Sequence, residues 1–257
     1  MLVKPKKRLG QHFLKNEDIA KKIVDAIDAT NREVLEIGPG MGVLTKYLLQ
    51  NEQYTLSVVE LDEESVEYLH TRYPALSPRI ISCDFLALSL DELYREPFTI
   101  IGNFPYNISS QILFKLLENK DKATQLVGMF QKEVAERVAA SPGNKSYGIL
   151  SVLLQAYFDV EYLFTVDENQ FNPPPKVKSA VIRLNRNFDK KLSCDDLFFK
   201  KVVKTAFNQR RKTLRNSLKT FTMSERLKND TILNLRPEQL TVAQFEWICG
   251  EISKFNV

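Results

Sequence analysis

The sequence predicts an α/β fold: a mostly parallel sheet with crossover helices, followed by a small helical domain. Two patterns carry that reading. From Arg32 to about residue 185, short β-branched runs alternate with amphipathic stretches, the pattern of βαβ units around a parallel sheet. Beyond that point strand-like runs cease and the charge balance changes. Residues 1–185 carry 21 Lys and Arg against 24 Asp and Glu, whereas residues 186–257 carry 15 against 8. The chain has 257 residues, and single cores stop growing near about 250–300. The expected division is therefore a large domain over 1–185 and a small one over 186–257.

The elements follow in order. Glu33–Ile37, Leu56–Glu60, Arg79–Cys83, Phe98–Ile101 and Leu126–Phe130 read as strands from their branched and aromatic content. Asp62 is a candidate N-cap for a helix that aligns Val66, Leu69 and Tyr73, and Ile108–Leu117 has similar spacing with Ile112, Leu113, Leu116 and Leu117. Tyr162–Val166 and Ser179–Leu184 leave too little chain between them for a crossover helix, which predicts an antiparallel edge. Pro173-Pro-Pro175 is expected to stiffen a surface loop. In the tail, Lys200–Lys219 holds eight Lys and Arg and no acid. Val203/Phe207 and Leu214/Leu218 keep i,i+4 spacing on either side of Asn208-Gln209, predicting two amphipathic helices with basic outer faces. Phe245, Trp247 and Ile248 are expected to pack the core of this small domain.

Composition narrows the function classes. With 44% hydrophobic and 26% charged residues, the chain is globular rather than disordered or fibrous. No apolar run approaches the roughly 20 residues of a membrane span. Met1–Arg8 lacks the apolar stretch of a secretory signal, so a cytoplasmic protein is expected. Cys83, Cys194 and Cys249 are far apart in sequence and the only histidines are His12 and His70, so reduced thiols and no metal are expected.

The first candidate site is Glu36-Ile-Gly-Pro-Gly-Met-Gly42, which follows a strand and is expected to open a helix. Open α/β sheets bind ligands at such carboxyl edges. Val43 stands where the dinucleotide fingerprint requires its third glycine, so the match to that fingerprint is broken. Bare backbone at Gly38 and Gly40 admits a ligand closely, and Glu60, ending the next strand, can accept hydrogen bonds from ribose hydroxyls. Asp84 follows the third strand-like run, where it can accept from an adenine amino group. A tight turn with ordinary capping acids is the plain alternative.

Asn103-Phe-Pro-Tyr106 follows the strand at Phe98 on the same edge. An exocyclic amino nitrogen is a poor nucleophile because its lone pair is delocalised into the ring. Two acceptors can draw it towards tetrahedral geometry, here the Asn103 side-chain oxygen and the Phe104 backbone carbonyl. Pro105 stiffens the turn. Tyr106 offers an aromatic face for an extruded base. Read alone, the same four residues also fit an ordinary Asn-x-Pro turn with a buried tyrosine.

The order Glu36-Ile-Gly-Pro-Gly, Glu60-Leu-Asp, Asp84, Asn103-Phe-Pro-Tyr-Asn-Ile-Ser109 resembles the S-adenosylmethionine-dependent ribosomal RNA adenine N6,N6-dimethyltransferases. Gly10-Gln-His-Phe-Leu14 and Phe171-Asn-Pro-Pro-Pro-Lys-Val-Lys-Ser-Ala180 resemble two further signatures of that family, so the likeness spans nearly the whole chain. Phe207-Asn-Gln-Arg-Arg-Lys-Thr-Leu-Arg-Asn-Ser-Leu218 resembles its KsgA branch, which acts on two adjacent adenines in a hairpin near the 3′ end of 16S rRNA. The resemblance implies a Rossmann-like methyltransferase domain and a small C-terminal helical domain with the substrate cleft between them. It also implies S-adenosylmethionine as cofactor, the small ribosomal subunit or its precursor as partner, a role in ribosome biogenesis and a monomer.

Carried over position by position, its cofactor contacts fall on His12, Leu14, Gly38, Glu60, Asp84 and Asn103, with Gly40 beside them. Two positions depart from the family pattern, which more often has asparagine at His12 and leucine at Phe104. For RNA, Arg210, Arg211, Lys212 and Arg215 are expected to contact phosphate. Lys4, Lys6, Lys7, Arg8 and Lys15 are expected to form a mobile arm that orders on RNA. Two rivals remain at this point: a large-subunit (23S) rRNA adenine methyltransferase, and a ribosome-assembly or transcription factor using the fold without catalysis.

Overall fold

The computed structural model describes residues 3–28 and 31–253. Met1, Leu2 and the Lys7 side chain of the expected arm, and residues 254–257 of the expected second domain, lie outside the described residues. The chain divides into two compact units, Met1–Ala135 with Val160–Arg186 and Glu136–Asp159 with Asn187–Val257. One division falls after Arg186, and residues 136–159, expected in the first domain, group with the tail. Among the described residues no helix is long and apolar enough to cross a membrane.

In the first unit a two-stranded ribbon joins β1 (Phe13–Leu14) antiparallel to β8 (Phe171–Asn172). The main sheet contains β2 (Glu33–Ile37), β3 (Thr55–Glu60), β4 (Ile80–Ser82), β5 (Phe98–Asn103), β6 (Ala123–Gln131), β7 (Phe158–Val166) and β9 (Ser179–Arg186), in the order β4-β3-β2-β5-β6-β9-β7. The five strands from β4 to β6 are parallel. β9 runs antiparallel to β6, and β7 lies beyond it at the edge of the sheet. Strand interiors such as Val34-Leu35 and Ile100-Ile101 are fully buried, as a sheet covered on both faces requires.

Four helices follow strands in this unit: α2 (Thr45–Leu48), α3 (Glu63–Arg72), α4 (Leu90–Leu93) and α5 (Ser109–Glu118), with α1 (Glu17–Asp25) preceding β2. α1 buries Ala20, Ile23 and Val24, and Asn16 caps it by accepting the Ile19 N–H. The chain leads from β2 outward through β3 to β4, then returns to start β5 on the other side of β2. Between β2 and β5 the strand order therefore reverses, and the crevice outside their carboxyl ends is where such sheets take ligands.

The helix expected to open at the glycine loop is displaced. Residues 40–44 are turn, and α2 is a single turn beginning at Thr45. Gly40 and Gly42 have φ of 54° and 79°, left-handed values that a right-handed helix cannot contain.

The second unit is helical. It holds α7 (Ile149–Gln155), α8 (Asp196–Asn208), α9 (Leu214–Ser217), α10 (Glu225–Lys228) and α11 (Val242–Ser253), and α6 (Lys132–Ala139) ends within it. α8 is capped by Asp195 and buries Phe199, Val202, Val203, Ala206 and Phe207. The Phe207 ring stacks on Phe245 at 5.9 Å and lies 6.5 Å from buried Tyr147. The second of the two predicted basic helices shrinks to the one turn of α9, although Leu214 and Leu218 are buried as expected. Trp247 is only half-buried, with Arg226 over its ring at 5.6 Å. It belongs to the rim rather than the core.

Candidate active site

At the reversal point lies a cavity of about 310 Å³. It brings together Gly38 and Gly40 from the loop after β2, Glu60 at the end of β3, Asp84 after β4 and Asn103 through Tyr106 after β5. His12 reaches it from the chain before β1. Positions from 38 to 106 meet because β2, β3, β4 and β5, which end at or just before them, all point the same way.

Gly40 shows why this loop needs glycine. A Cβ there would lie 2.9 Å from the Phe13 ring, at a φ of 54°. Its N–H donates to Glu60 Oε2 at 3.0 Å, while the Leu61 and Asp62 N–H groups donate to Oε1 at 2.9 Å each. Burial pushes the Glu60 carboxyl up from its usual range, and these three bonds oppose the shift. They also fix the carboxylate while Oε2 keeps acceptor capacity. Asp84 is exposed and accepts the Leu86 N–H at 2.8 Å. Glu36, beneath the loop, is fully buried, accepts the Thr45 hydroxyl at 2.6 Å and is pushed by burial to about 8.

Asn103 donates from Nδ2 to the His12 carbonyl at 2.9 Å. That bond orients the amide so that Oδ1 is its acceptor for a ligand. The Phe104 N–H is held by the Met129 carbonyl at 3.1 Å. Its ring is buried beside Phe130, 4.8 Å between centroids, and over the paired glycines Gly102 and Gly128. The Ser109 hydroxyl donates to the carbonyls of Pro105 and Tyr106 at 3.3 and 3.1 Å, closing the turn. The Tyr106 hydroxyl pairs with Ser179 Oγ, and burial raises its pKa above that of a free phenol.

In the N-terminal segment the placement of Lys6 and Leu14 differs from expectation, while His12 lines the cavity. His12 Nδ1 donates to the Pro173 carbonyl at 2.8 Å, and its ring stacks on Tyr106 at 5.4 Å and 27°. Its Nε2 is then an acceptor in the neutral ring, so donation from that atom requires the protonated ring. Lys6 is not part of a loose arm. It pairs with Asp62 and with Glu64 at 3.0 Å, and its backbone N–H donates to Gln11 Oε1 at 2.9 Å. The Leu14 side chain is buried in the core and lines only a small adjoining cavity with Glu36, Gly38 and Asn103.

The basic residues of the second unit fall into two kinds. Arg210, Arg211 and Lys212 occupy the turn after α8, and Arg215 lies in α9; all four are exposed. Arg210 donates to the Lys145 carbonyl, with Glu238 at 3.9 Å. Arg215 donates to the Lys228 carbonyl at 3.1 Å. Arg211 and Lys212 stand at the tip of the turn.

Sequence reading missed several cavity residues, among them Phe13, Leu61, Phe85 and Asn107. Phe13, Leu61 and Asn107 lie inside the motifs already quoted, whereas Phe85 is marked only by adjoining Asp84. Among the described residues no group of three or more His, Cys, Asp or Glu is arranged to hold a metal ion.

Comparisons with known proteins agree with one another. A family model described as "Ribosomal RNA adenine dimethylase" matches residues 3–252. The chain is 57% identical over 256 residues to "Ribosomal RNA small subunit methyltransferase A" of Bacteroides thetaiotaomicron, covering 98% of this chain and 96% of that one. Among solved structures, a dimethyladenosine transferase from Plasmodium falciparum matches the fold with a TM-score of 0.81 at 24% identity, covering 96% of this chain and 99% of that one. The 23S rRNA methyltransferase ErmE matches with a TM-score of 0.68 at 25% identity, over 93% and 99%.

Proposed function

The chain belongs to the ribosomal RNA adenine dimethylase family, and from that membership we propose that it dimethylates the N6 amino groups of two adjacent adenines in a hairpin near the 3′ end of 16S rRNA. It acts on the small ribosomal subunit or its precursor, in the cytoplasm, as a monomer. The observation that carries this reading is the orientation of Asn103, whose amide is tied to the His12 carbonyl at the edge of the cavity that also holds Glu60 and Asp84.

The cavity fits S-adenosylmethionine. Glu60 presents Oε2 to ribose hydroxyls and Asp84 an acceptor to the adenine amino group, while Gly38 and Gly40 let the ligand approach the backbone. When bound, S-adenosylmethionine supplies an electrophilic methyl on a sulfonium. Asn103 Oδ1 and the Phe104 carbonyl each accept one N–H of the target amine, freeing its lone pair from conjugation. Pro105 stiffens the turn that presents that carbonyl. Tyr106 stacks the extruded base, while its phenol, held protonated by burial, takes no proton. The methylated nitrogen is acidic enough to lose its proton to water. Arg210, Arg211, Lys212 and Arg215 bind phosphate and hold the RNA.

Incubation with labelled S-adenosylmethionine and unmethylated small or large subunits, followed by nucleoside analysis, tests the reading. Dimethyladenosine in small-subunit rRNA alone is expected. Label in the large subunit would favour the 23S reading, and no label would leave a binding factor. Asn103→Ala should bind substrate and fail to methylate it; near-normal single-turnover methylation would overturn the role given to its amide.

A further inference from the structure

We propose that Lys115 is a positioning residue for the cofactor's adenine, acting by holding the loop that carries Asp84 and Phe85. The inference rests on the reading that the cavity takes S-adenosylmethionine. Lys115 projects from α5, and its ammonium donates to three backbone carbonyls of one loop: Phe85 at 2.7 Å, Leu86 at 2.9 Å, and Leu88. Its Nζ also lies 5.0 Å from the Phe85 ring centroid. An ammonium has three N–H groups, and here all three converge on residues 85–88.

That arrangement is specific in a way a surface ion pair is not. The loop joins β4 to α4 and has few backbone ties of its own, chiefly Ala87 N–H to the Asp84 carbonyl at 3.0 Å and Leu88 N–H to the Phe85 carbonyl at 3.2 Å. Three carbonyls turned inward onto one cation set the path of the chain. Asp84 and Phe85 then face the cavity they line. Lys115 does not line that cavity; it borders a separate groove with Leu86, Leu88 and Gln111. It therefore reaches the cofactor site through the loop and through the charge of Asp84, not by touching a ligand there. Partial burial lowers the Lys115 pKa, against the opposing pull of Asp84 and Glu118. A charge kept there despite burial is consistent with a task that neutral residues cannot perform.

The test is a double-mutant cycle in the full chain on Lys115→Met and Asp84→Asn, read by calorimetric S-adenosylmethionine affinity, kcat at saturating cofactor, and melting temperature. Lys115→Met should weaken affinity by about tenfold or more, the size of a lost hydrogen bond to a charged group. kcat should stay within about twofold, because only uniform binding is lost. In the Asp84→Asn background the further loss from Lys115→Met should be much smaller, since both act on the same contact. Unchanged affinity in Lys115→Met, fully additive losses, or a lowered melting temperature with wild-type affinity would each overturn the proposal. If Lys115→Met does not fold, the same cycle is run on Lys115→Arg, whose planar fork cannot serve three convergent carbonyls, with the same expected and overturning results. A wild-type chain that bound no S-adenosylmethionine would instead refute the functional reading itself.

Discussion

Glu36, fully buried, and Tyr106, partly buried, are acids that stay protonated near neutrality, and that state makes each testable. Glu36 is pushed to about 8 by burial. Between the ordinary carboxylate range and 8 the folded chain keeps a proton that the unfolded chain releases. The stability this group contributes is therefore fully present below its unfolded pKa and is lost as pH rises through 8. Glu36→Gln retains an acceptor for the Thr45 hydroxyl without the charge. It should melt like the parent at pH 4–5 and be more stable at pH 9, by on the order of 2–4 kcal/mol. A melting difference that did not vary with pH would show that Glu36 does not titrate in this way. For Tyr106 the ring and the hydroxyl separate. Tyr106→Phe loses the Ser179 bond, costs about 1 kcal/mol of stability, and stays active. Tyr106→Ala should lose about ten- to a hundredfold in kcat/KM if the ring stacks a base. Equal loss from both variants in single-turnover assays would sink the stacking account.

The β5–β6 pair and the α8–α9 turn each carry a testable consequence. The β5–β6 pair places Gly102 opposite Gly128, and the Phe104 ring fills the space that side chains there would occupy. A Cβ on Gly128 would lie 2.0 Å from Phe104 Cε2, so Gly128→Ala should destabilise the chain by about 1–3 kcal/mol and disturb the turn at Asn103. The smaller Phe104→Leu in the same chain should recover part of both losses. No recovery in melting temperature or activity would mean the ring is not what the new methyl strikes. In the α8–α9 turn, Arg211 and Lys212 are exposed, whereas Arg210 and Arg215 hold backbone carbonyls. If the turn grips phosphate, Arg211→Ala and Lys212→Ala should each reduce the log–log salt slope of RNA binding by about 0.7–0.9. Wild-type slopes in both variants would make the turn an ordinary solvated face.

Across the whole molecule, the second unit is built from two stretches of chain, 136–159 and 187–257. Tyr147 and residues of α7 such as Leu150, Val152 and Leu154 are buried, and Tyr147 meets the same Phe207 ring that stacks on Phe245. Residues 187–257 alone would expose the apolar surface those residues cover. That fragment should show no cooperative thermal transition by circular dichroism. A sharp melt would establish it as an independent domain and return the boundary to 185.

Much of this was determined by the sequence itself. The order of the main strands, the glycine loop, and Glu60, Asp84 and Asn103 through Tyr106 as candidates were legible, because hydrophobic period and turn chemistry are local and each motif lies at or just after the end of a strand; helices such as α1, α6 and α7 were not. Parallel strands then bring those motifs to one edge without further instruction. Only the tertiary structure decided the contacts that complete the site. Lys6 to Asp62, Tyr106 to Ser179 and His12 to Pro173 join residues 56, 73 and 161 positions apart. No local pattern marks such pairs, and they exist only once the backbone has closed. The same holds for residues 136–159, whose apolar side chains signal burial but not which core receives them. Hydrophobicity has no direction, and the choice between two cores was made by packing.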